Sequence, residues 1–408
     1  MKIQKLILIA LFALPLSLHA QWTAQYPDFG EHYEINYIHA VNQNLVWAVT
    51  KDQSGNGYGP MFSVSQNSGE SWVTGYITTD EYLTPAMVFA FDEFPYAFVP
   101  VYKSDPLSTG QAGIYATFDG GETWQRQSGA FETPTAWPDI VYFWSTTWGI
   151  SIGDPVDGYF DIYTTNDLGT TWQKVPQANI PDPLPGEAAI VGNYEAVGST
   201  IWFSTTKGRV YKSQDYGINW AVYSSPFSSF TRIAFKDNNN GWLQDVGDWE
   251  TTQIAGTTDG GETWNLLELS GPLLNWDLHY IPGSANTLVS SGAYLNNGVS
   301  TSYNGGEDWA WIEEPGTKYF SMDWLDNQTG WAGGYDENIQ KPLIYKYNGP
   351  GVCDYLVSPL DIYFGYVEIG TSLTRNITIT NLGPDYLELT DIYTNIGIFF
   401  CYTINLHG

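Results

Sequence analysis

The chain is predicted to be all-β, and three features of its sequence carry that expectation. An octapeptide with fixed Gly and Trp positions occurs six times. A short apolar, strand-like segment precedes each copy. Aromatic residues make up 16% of the 408 residues, whereas charged residues make up only 14%. That composition supports a large core and argues against a disordered chain. The formal charge of −29 argues against nucleic acid as a partner, because phosphate binding needs a basic face. Two cysteines and five histidines supply neither a disulfide-rich scaffold nor an evident structural zinc site, and no cofactor or metal is expected.

The first element, residues 1–20, reads as an export signal. Lys2 and Lys5 precede an apolar run from Ile7 to Leu18, and Ala20 is a small residue suited to cleavage. The run is shorter than the ~20 residues a membrane-spanning helix needs. No later run is long enough either, so the mature chain is expected to be secreted (extracellular or periplasmic, with cell-surface association open) and without a transmembrane segment. In that compartment Cys353 and Cys401 are free to pair, although the sequence does not show that they do.

The second element, 21–349, holds the repeats. The six copies are Ser65–Trp72, Thr117–Trp124, Thr165–Trp172, Ser213–Trp220, Thr257–Trp264 and Ser302–Trp309. Their third position is Asn67, Asp119, Asp167, Asp215, Asp259 and Asn304, giving steps of 52, 48, 48, 44 and 45 residues. An Asx side chain folds back onto nearby backbone N–H groups, and Gly accepts the positive φ of a tight turn. Each copy is therefore a hairpin turn, and the Trp that follows opens the outgoing strand. A period in the forties indicates one four-stranded blade per repeat. A second column of strands contains Trp47, Trp148, Trp202, Trp242 and Trp331, all expected in the core. It has seven members for six turns. The seventh blade, after Trp331, runs through Leu343–Tyr347 and stops short of a Trp; Gln21-Trp22-Thr23-Ala24 resembles the missing outer strand. The expectation is a seven-bladed β-propeller whose N-terminal strand closes the last blade, with Trp22 beside Tyr345. Closure removes an unpaired sheet edge.

The octapeptides resemble the Asp-box, or BNR, repeat of sialidases, sortilin-type receptors and photosystem II assembly-factor-like propellers. In that family the boxes are structural hairpins, which implies a turn-stabilising rather than catalytic role for Asn67, Asp119, Asp167, Asp215, Asp259 and Asn304. The third element, 350–408, alternates polar and apolar residues, as in Arg375-Asn-Ile377-Thr-Ile379-Thr, the mark of sandwich strands. It is similar to the opening of ASPM/SPD-2/hydin-like (choice-of-anchor) immunoglobulin-type domains. It is shorter than the ~100 residues such a sandwich needs, so a truncated, incomplete β-sandwich is expected.

If the box fills the turn between third and fourth strands, the second-to-third loops and the blade crossings share the opposite face. That face then holds Gly153-Asp154-Pro155, Pro183–Glu187, Lys207-Gly208-Arg209 and Gly247-Asp248-Trp249. Loops on a rigid scaffold are where function usually resides. These stretches resemble the Gly-Asp-Pro, Gly-Glu and Gly-x-Arg-Val blocks of the assembly-factor-like propellers. Asp154 and Glu187 fall in neighbouring blades and are the catalytic candidates for a glycosidase, which works with two carboxyls of different pKa. The opposing reading has Asp154 capping a turn and Glu187 paired to Arg209. Sialidases hold the substrate carboxylate with three arginines. Of the four here, Arg126, Arg209, Arg232 and Arg375, only Arg209 and Arg232 are expected near the centre, so that triad cannot be assembled.

His32, His39 and His279 are scattered and read as packed or surface residues; Asp52–Gly57 lacks the final glutamate of a calcium loop and reads as a polar loop. Arg209, Asp248, Trp249 and Trp137 are the binding candidates, since exposed indoles stack on sugars or anchor protein partners; Trp276 and Trp311 also lie outside the core columns. The leading expectation is a non-catalytic propeller displaying a surface for a glycan or protein ligand. The alternative is a glycoside hydrolase on the same face.

Overall fold

The structure is a computed structural model. It describes residues 9–10, 22–92, 95–106, 108–247, 252–294, 297–313, 316–336 and 339–348, together with 355–358, 362–363 and 378–381. Seven antiparallel sheets follow one another around a ring. From inner to outer strand, blade one is Tyr33–Ala40, Val46–Asp52, Met61–Ser65 and Val73–Tyr76. Blade three is Pro138–Phe143, Gly149–Val156, Tyr159–Thr165 and Gln173–Lys174, and blade four is Ala189–Val197, Thr200–Thr205, Arg209–Ser213 and Ala221–Ser224. Blades five and six begin at Thr231–Phe235 and Asp277–Tyr280. Blade two differs in that its inner strand is split into Leu83–Pro85 and Phe89–Ala90, both paired to Ala97–Lys103. Proline has no N–H to donate, and the ladder resumes only after Pro85.

Blade seven is completed by the N-terminus. Trp22–Gln25 pairs antiparallel with Lys341–Tyr347, the third strand after Lys318–Trp324 and Gly330–Asp336. The register differs by two residues from the expected one: Trp22 lies opposite Tyr347, and Ala24 opposite Tyr345. A two-residue slip keeps each side chain on its own face. Trp22 remains buried at 4% exposure, with ring centroids 5.6 Å from Tyr319, 5.7 Å from Trp324 and 5.2 Å from Tyr347.

All six octapeptides make the same turn. The first hydroxyl donates to the Asx Oδ1 and accepts the glycine N–H, as in Thr117→Asp119 at 2.8 Å and Gly121→Thr117 at 2.8 Å. The Asx Oδ1 then accepts the N–H four residues on, from Ser71, Thr123, Thr171, Asn219, Thr263 and Asp308 at 2.8–3.0 Å. Three of the turns also lock to the preceding blade through an indole. The Trp148, Trp202 and Trp242 indoles donate to carbonyls of Tyr216, Gly260 and Gly305, each in the next blade's turn. Trp202 and Trp331 are fully buried, Trp47 and Trp242 nearly so. Trp148 departs from the expectation: it is half-buried, and Ile150 fills the core position. Gly149 pairs with Phe143 as Gly241 pairs with Phe235 and Gly330 with Trp324. Ile150 therefore aligns with Trp242 and Trp331, and Trp148 stands two residues earlier.

In 350–408, Tyr355–Ser358 pairs with Thr378–Asn381, and Ile362–Tyr363 pairs with Ile9–Ala10. The rest of the expected sandwich, the rest of residues 1–20 with the expected export signal, Cys353 and Cys401 lie outside the described residues. Among the described residues no helix is long and apolar enough to cross a membrane.

Candidate functional site

The octapeptides join third to fourth strands in blades one to six. The second-to-third loops and the blade crossings consequently share the other face, and there the structure brings Asp154 and Glu187 into one cleft of about 540 Å³. Its walls are Pro155 and Gly158 from blade three, with Pro183, Leu184, Pro185, Gly186 and Ala188 from the crossing into blade four. Prolines fix φ in this crossing, so its shape is largely set before any ligand arrives.

Glu187 faces inward from this wall. Its side chain is closed to solvent, and that of Arg209 is 15% exposed. One carboxylate oxygen accepts from Thr205 Oγ1 at 2.6 Å and Arg209 Nε at 3.0 Å; the other accepts from the Leu184 N–H at 2.7 Å and from Arg209 Nη2. Burial would raise this carboxyl, but the Arg209, Thr205 and Leu184 donors hold it below the usual glutamate range. Arg209, on the third strand of blade four, also bonds the Asp182 carbonyl and the Tyr211 hydroxyl. It points at Glu187 and not at the centre of the ring. The pair ties the crossing to the blade.

Asp154 has different surroundings. It is half-buried, and Oδ1 accepts the Ala189 N–H of blade four at 2.9 Å. Its own N–H donates to the Trp137 carbonyl at 2.9 Å. Trp137 is half-buried and stacks on Tyr102 of blade two, with centroids 4.3 Å apart and planes 18° from parallel. Behind Asp154 sits Asp139, which the sequence reading did not single out. Asp139 is 1% exposed, and its Oδ2 has no hydrogen-bond partner. Burial, then the nearby Asp154 charge, pushes Asp139 well above the normal aspartate range, against the opposing hydrogen bond from the Asp154 backbone. Burial raises Asp154 to about 6, against the opposing Ala189 hydrogen bond. Asp248 and Trp249 lie outside the described residues. Asp52 closes its own loop, accepting from Ser54, Gly57 and Tyr58. Among the described residues no three His, Cys, Asp or Glu side chains gather as a metal-holding group.

The inner strands form a second polar centre, in which two of the scattered histidines are packed. His39 and His279 stand on inner strands and each meets a carboxylate: His39 Nδ1 lies 3.1 Å from Asp323, and His279 Nε2 lies 3.1 Å from Asp277. Arg232 approaches Asp277 at 4.0 Å and donates to the Trp276 carbonyl at 2.8 Å. The carboxylates have a further task. Asp323 accepts the Ala40 N–H of blade one at 2.8 Å, Asp277 accepts Met322 of blade seven at 2.9 Å, and Glu195 accepts Phe235 of blade five at 3.5 Å. Each satisfies a backbone donor on the neighbouring blade's inner strand, a group costly to leave unpaired. Burial carries Glu195 up to about 7, partly offset by His279. Burial would lower His279, but Asp277 holds it above its ordinary value. The spacing of one acidic residue on several inner strands was the available signal; equivalence between blades becomes visible only once the register is known.

No family model matches the chain. It is 26% identical over 245 residues to a xyloglucanase of Hypocrea jecorina, which covers 55% of this chain and 26% of that protein. It is 27% identical over 177 residues to the photosystem II assembly lipoprotein Ycf48 of a Synechococcus species, covering 42% of this chain and 49% of the relative. The chain thus spans about a quarter to a half of the curated relatives it matches. Among solved structures, a YCF48 bound to D1 peptide superposes with a TM-score of 0.56 at 16% identity, over 84% of this chain and all of that one. The GH74 xyloglucanase from Xanthomonas campestris gives a TM-score of 0.54 at 14% identity, over 82% of this chain and 57% of that one. These likenesses define the class: a seven-bladed β-propeller like those of Ycf48 and the GH74 enzymes.

Proposed function

We propose that the chain is a secreted, non-catalytic propeller whose face opposite the octapeptide turns binds a polypeptide or glycan ligand, with the cleft between blades three and four at its centre. The observation that carries this reading is the state of the two candidate catalytic carboxylates. Glu187 is sealed from solvent and saturated with four donors, so no substrate atom reaches it, while Asp154 opens onto a preformed, proline-walled cleft. The turn chemistry agrees with the Asp-box resemblance, in which the box Asx residues are structural. A propeller of the same fold carries a bound peptide, which supports a polypeptide as the ligand class. The apolar run after Lys2 and Lys5 supports export.

A second reading, glycoside hydrolysis, is favoured by the xyloglucanase similarity and by the raised Asp154, which would hold the proton a general acid needs. It would require Glu187 to act as the partner carboxylate from within its ion pair. Two measurements separate the readings. Wild type and Asp154→Asn/Glu187→Gln are incubated with xyloglucan and sialylated glycans, and the same proteins are screened on glycan and peptide arrays with hydrogen-exchange footprinting of each hit. Binding with protection at 154–158 and 183–188 and no sugar release is expected. Sugar release by wild type that disappears in the variant would overturn the binding reading.

A further inference from the structure

Four acidic residues among the described residues are at most 6% exposed: Glu34, Asp139, Asp161 and Glu187. Three hold a cation, with Lys51 on Glu34 at 2.9 Å, Lys174 on Asp161 at 2.7 Å, and Arg209 on Glu187. Asp139 does not, and no cation of the described residues pairs with its neighbour Asp154 either. Leaving a buried carboxylate without a compensating cation is costly.

The backbone reinforces this placement. Asp139 falls at a register shift between Pro138–Phe143 and Gly149–Val156, and Asp154 falls at a second shift, between Gly149–Val156 and Tyr159–Thr165. Bulges re-aim side chains and gather beside functional sites. Two of them in one blade bring two carboxyls near each other, Asp139 buried and Asp154 among the residues that line the cleft.

We propose that this cleft is an amine site: Asp154, backed by Asp139, which no cation neutralises, receives the ammonium group of a lysine side chain carried by a partner polypeptide. The inference rests on the binding reading of this face and names the chemistry of its ligand. Lysine fits better than arginine because the Ala189 N–H already occupies one Asp154 oxygen. One oxygen remains, enough for a point-charge ammonium but not for the two-pronged fork of a guanidinium. The Pro155, Pro183, Leu184 and Pro185 carbons line the cleft above it and match the four methylenes of a lysine stem. Glu187, already neutralised by Arg209, does not compete. The net charge of −29 steers a cationic partner toward the molecule.

The test uses the full chain and a capped pentapeptide, acetyl-Ala-Ala-Lys-Ala-Ala-amide, with Nε-acetyl-lysine and arginine counterparts, followed by backbone amide NMR and by calorimetry in two buffers at pH 6. The lysine peptide is expected to shift resonances at 154–158 and 183–188 and to release protons as the ammonium takes their place. The acetylated peptide should not bind, and the arginine peptide should bind more weakly. Asp154→Asn, which keeps an acceptor for Ala189, should weaken binding about tenfold or more, the scale of one charge-assisted hydrogen bond. Asp139→Asn should release fewer protons on binding, the remainder coming from Asp154 itself, which burial alone raises to about 6. Equal binding of the acetylated peptide, or unchanged affinity in a folded Asp154→Asn, would overturn the assignment. If array ligands still footprint to this face while the lysine peptide fails, the amine chemistry is wrong and the binding surface stands. If neither footprints there, both readings fall.

Discussion

Replacing Glu187 by Gln tests whether the ion pair holds the wall of the cleft. The carboxylate accepts four hydrogen bonds and has no solvent exposure. Without the charge, Arg209 keeps the Asp182 carbonyl at 3.1 Å, the Tyr211 hydroxyl at 2.9 Å and at most one neutral acceptor on the new side chain. The new amide would also turn donors toward donors. Breaking one side of a buried pair costs about 3–5 kcal/mol. At ~2.1 cal/mol/K per residue the ring's unfolding entropy is roughly 0.7 kcal/mol/K, so Tm should fall by about 4–7 °C. Urea and thermal unfolding would measure both, and Glu187→Gln/Arg209→Met should recover much of the loss. A single variant within about 1 kcal/mol of wild type would show that water screens the pair, refuting the sealed-carboxylate reasoning.

Stability should fall between pH 5 and pH 8. Glu195 (about 7) and Asp154 (about 6) have raised folded values; their contribution is full below the ordinary carboxyl range and is lost as pH rises through those values. Urea unfolding across this range should show the slope, and Glu195→Gln should flatten it; stability rising toward pH 8 would contradict the reading. Below pH 4 the sign reverses: Asp259 is held down to about 2, first by the Thr263 hydroxyl, so its contribution disappears as pH falls through that value, and Asp259→Asn should lessen the acid sensitivity. Gly121→Ala should cost about 2–4 kcal/mol, since its φ is +93° and a Cβ would lie 2.3 Å from Phe62 of blade one. Gly55→Ala, with φ +73° but open space, should cost only about 1 kcal/mol; equal unfolding midpoints for the two would contradict the blade-locking role of the turns.

The ring was legible because its turns demand particular residues. A side-chain oxygen, a glycine at positive φ and an indole recur at fixed spacing, so the spacing survives even where the strands between differ. Ring closure was legible for the same reason, although nothing in Gln21–Ala24 distinguishes Trp22 opposite Tyr345 from Trp22 opposite Tyr347. Trp148 misled because one indole looks like another until Gly149 fixes the register. Asp154 and Glu187 could be placed on one face from loop order, and the Glu187–Arg209 pairing was foreseeable as an alternative. Asp139 was harder. An acid inside Pro138–Phe143 signals something unusual, but only the bulges show that it backs Asp154. The channel residues His39, Glu195, Asp277, His279 and Asp323 depend on contacts between blades, which no local pattern encodes.

The closed ring depends on Trp22–Gln25 completing the last blade. Cysteines at Thr23 and Lys346, which face each other across that pairing, test it in a chain whose native cysteines are changed to serine. Opposed residues in an antiparallel pair stand about 4.5–5.5 Å apart at Cα, within reach of a disulfide. Mild oxidation should give an intramolecular bond in monomeric protein, seen by intact mass and peptide mapping. Persistence of free thiols in folded protein, or bonds formed only between molecules, would contradict the closed ring.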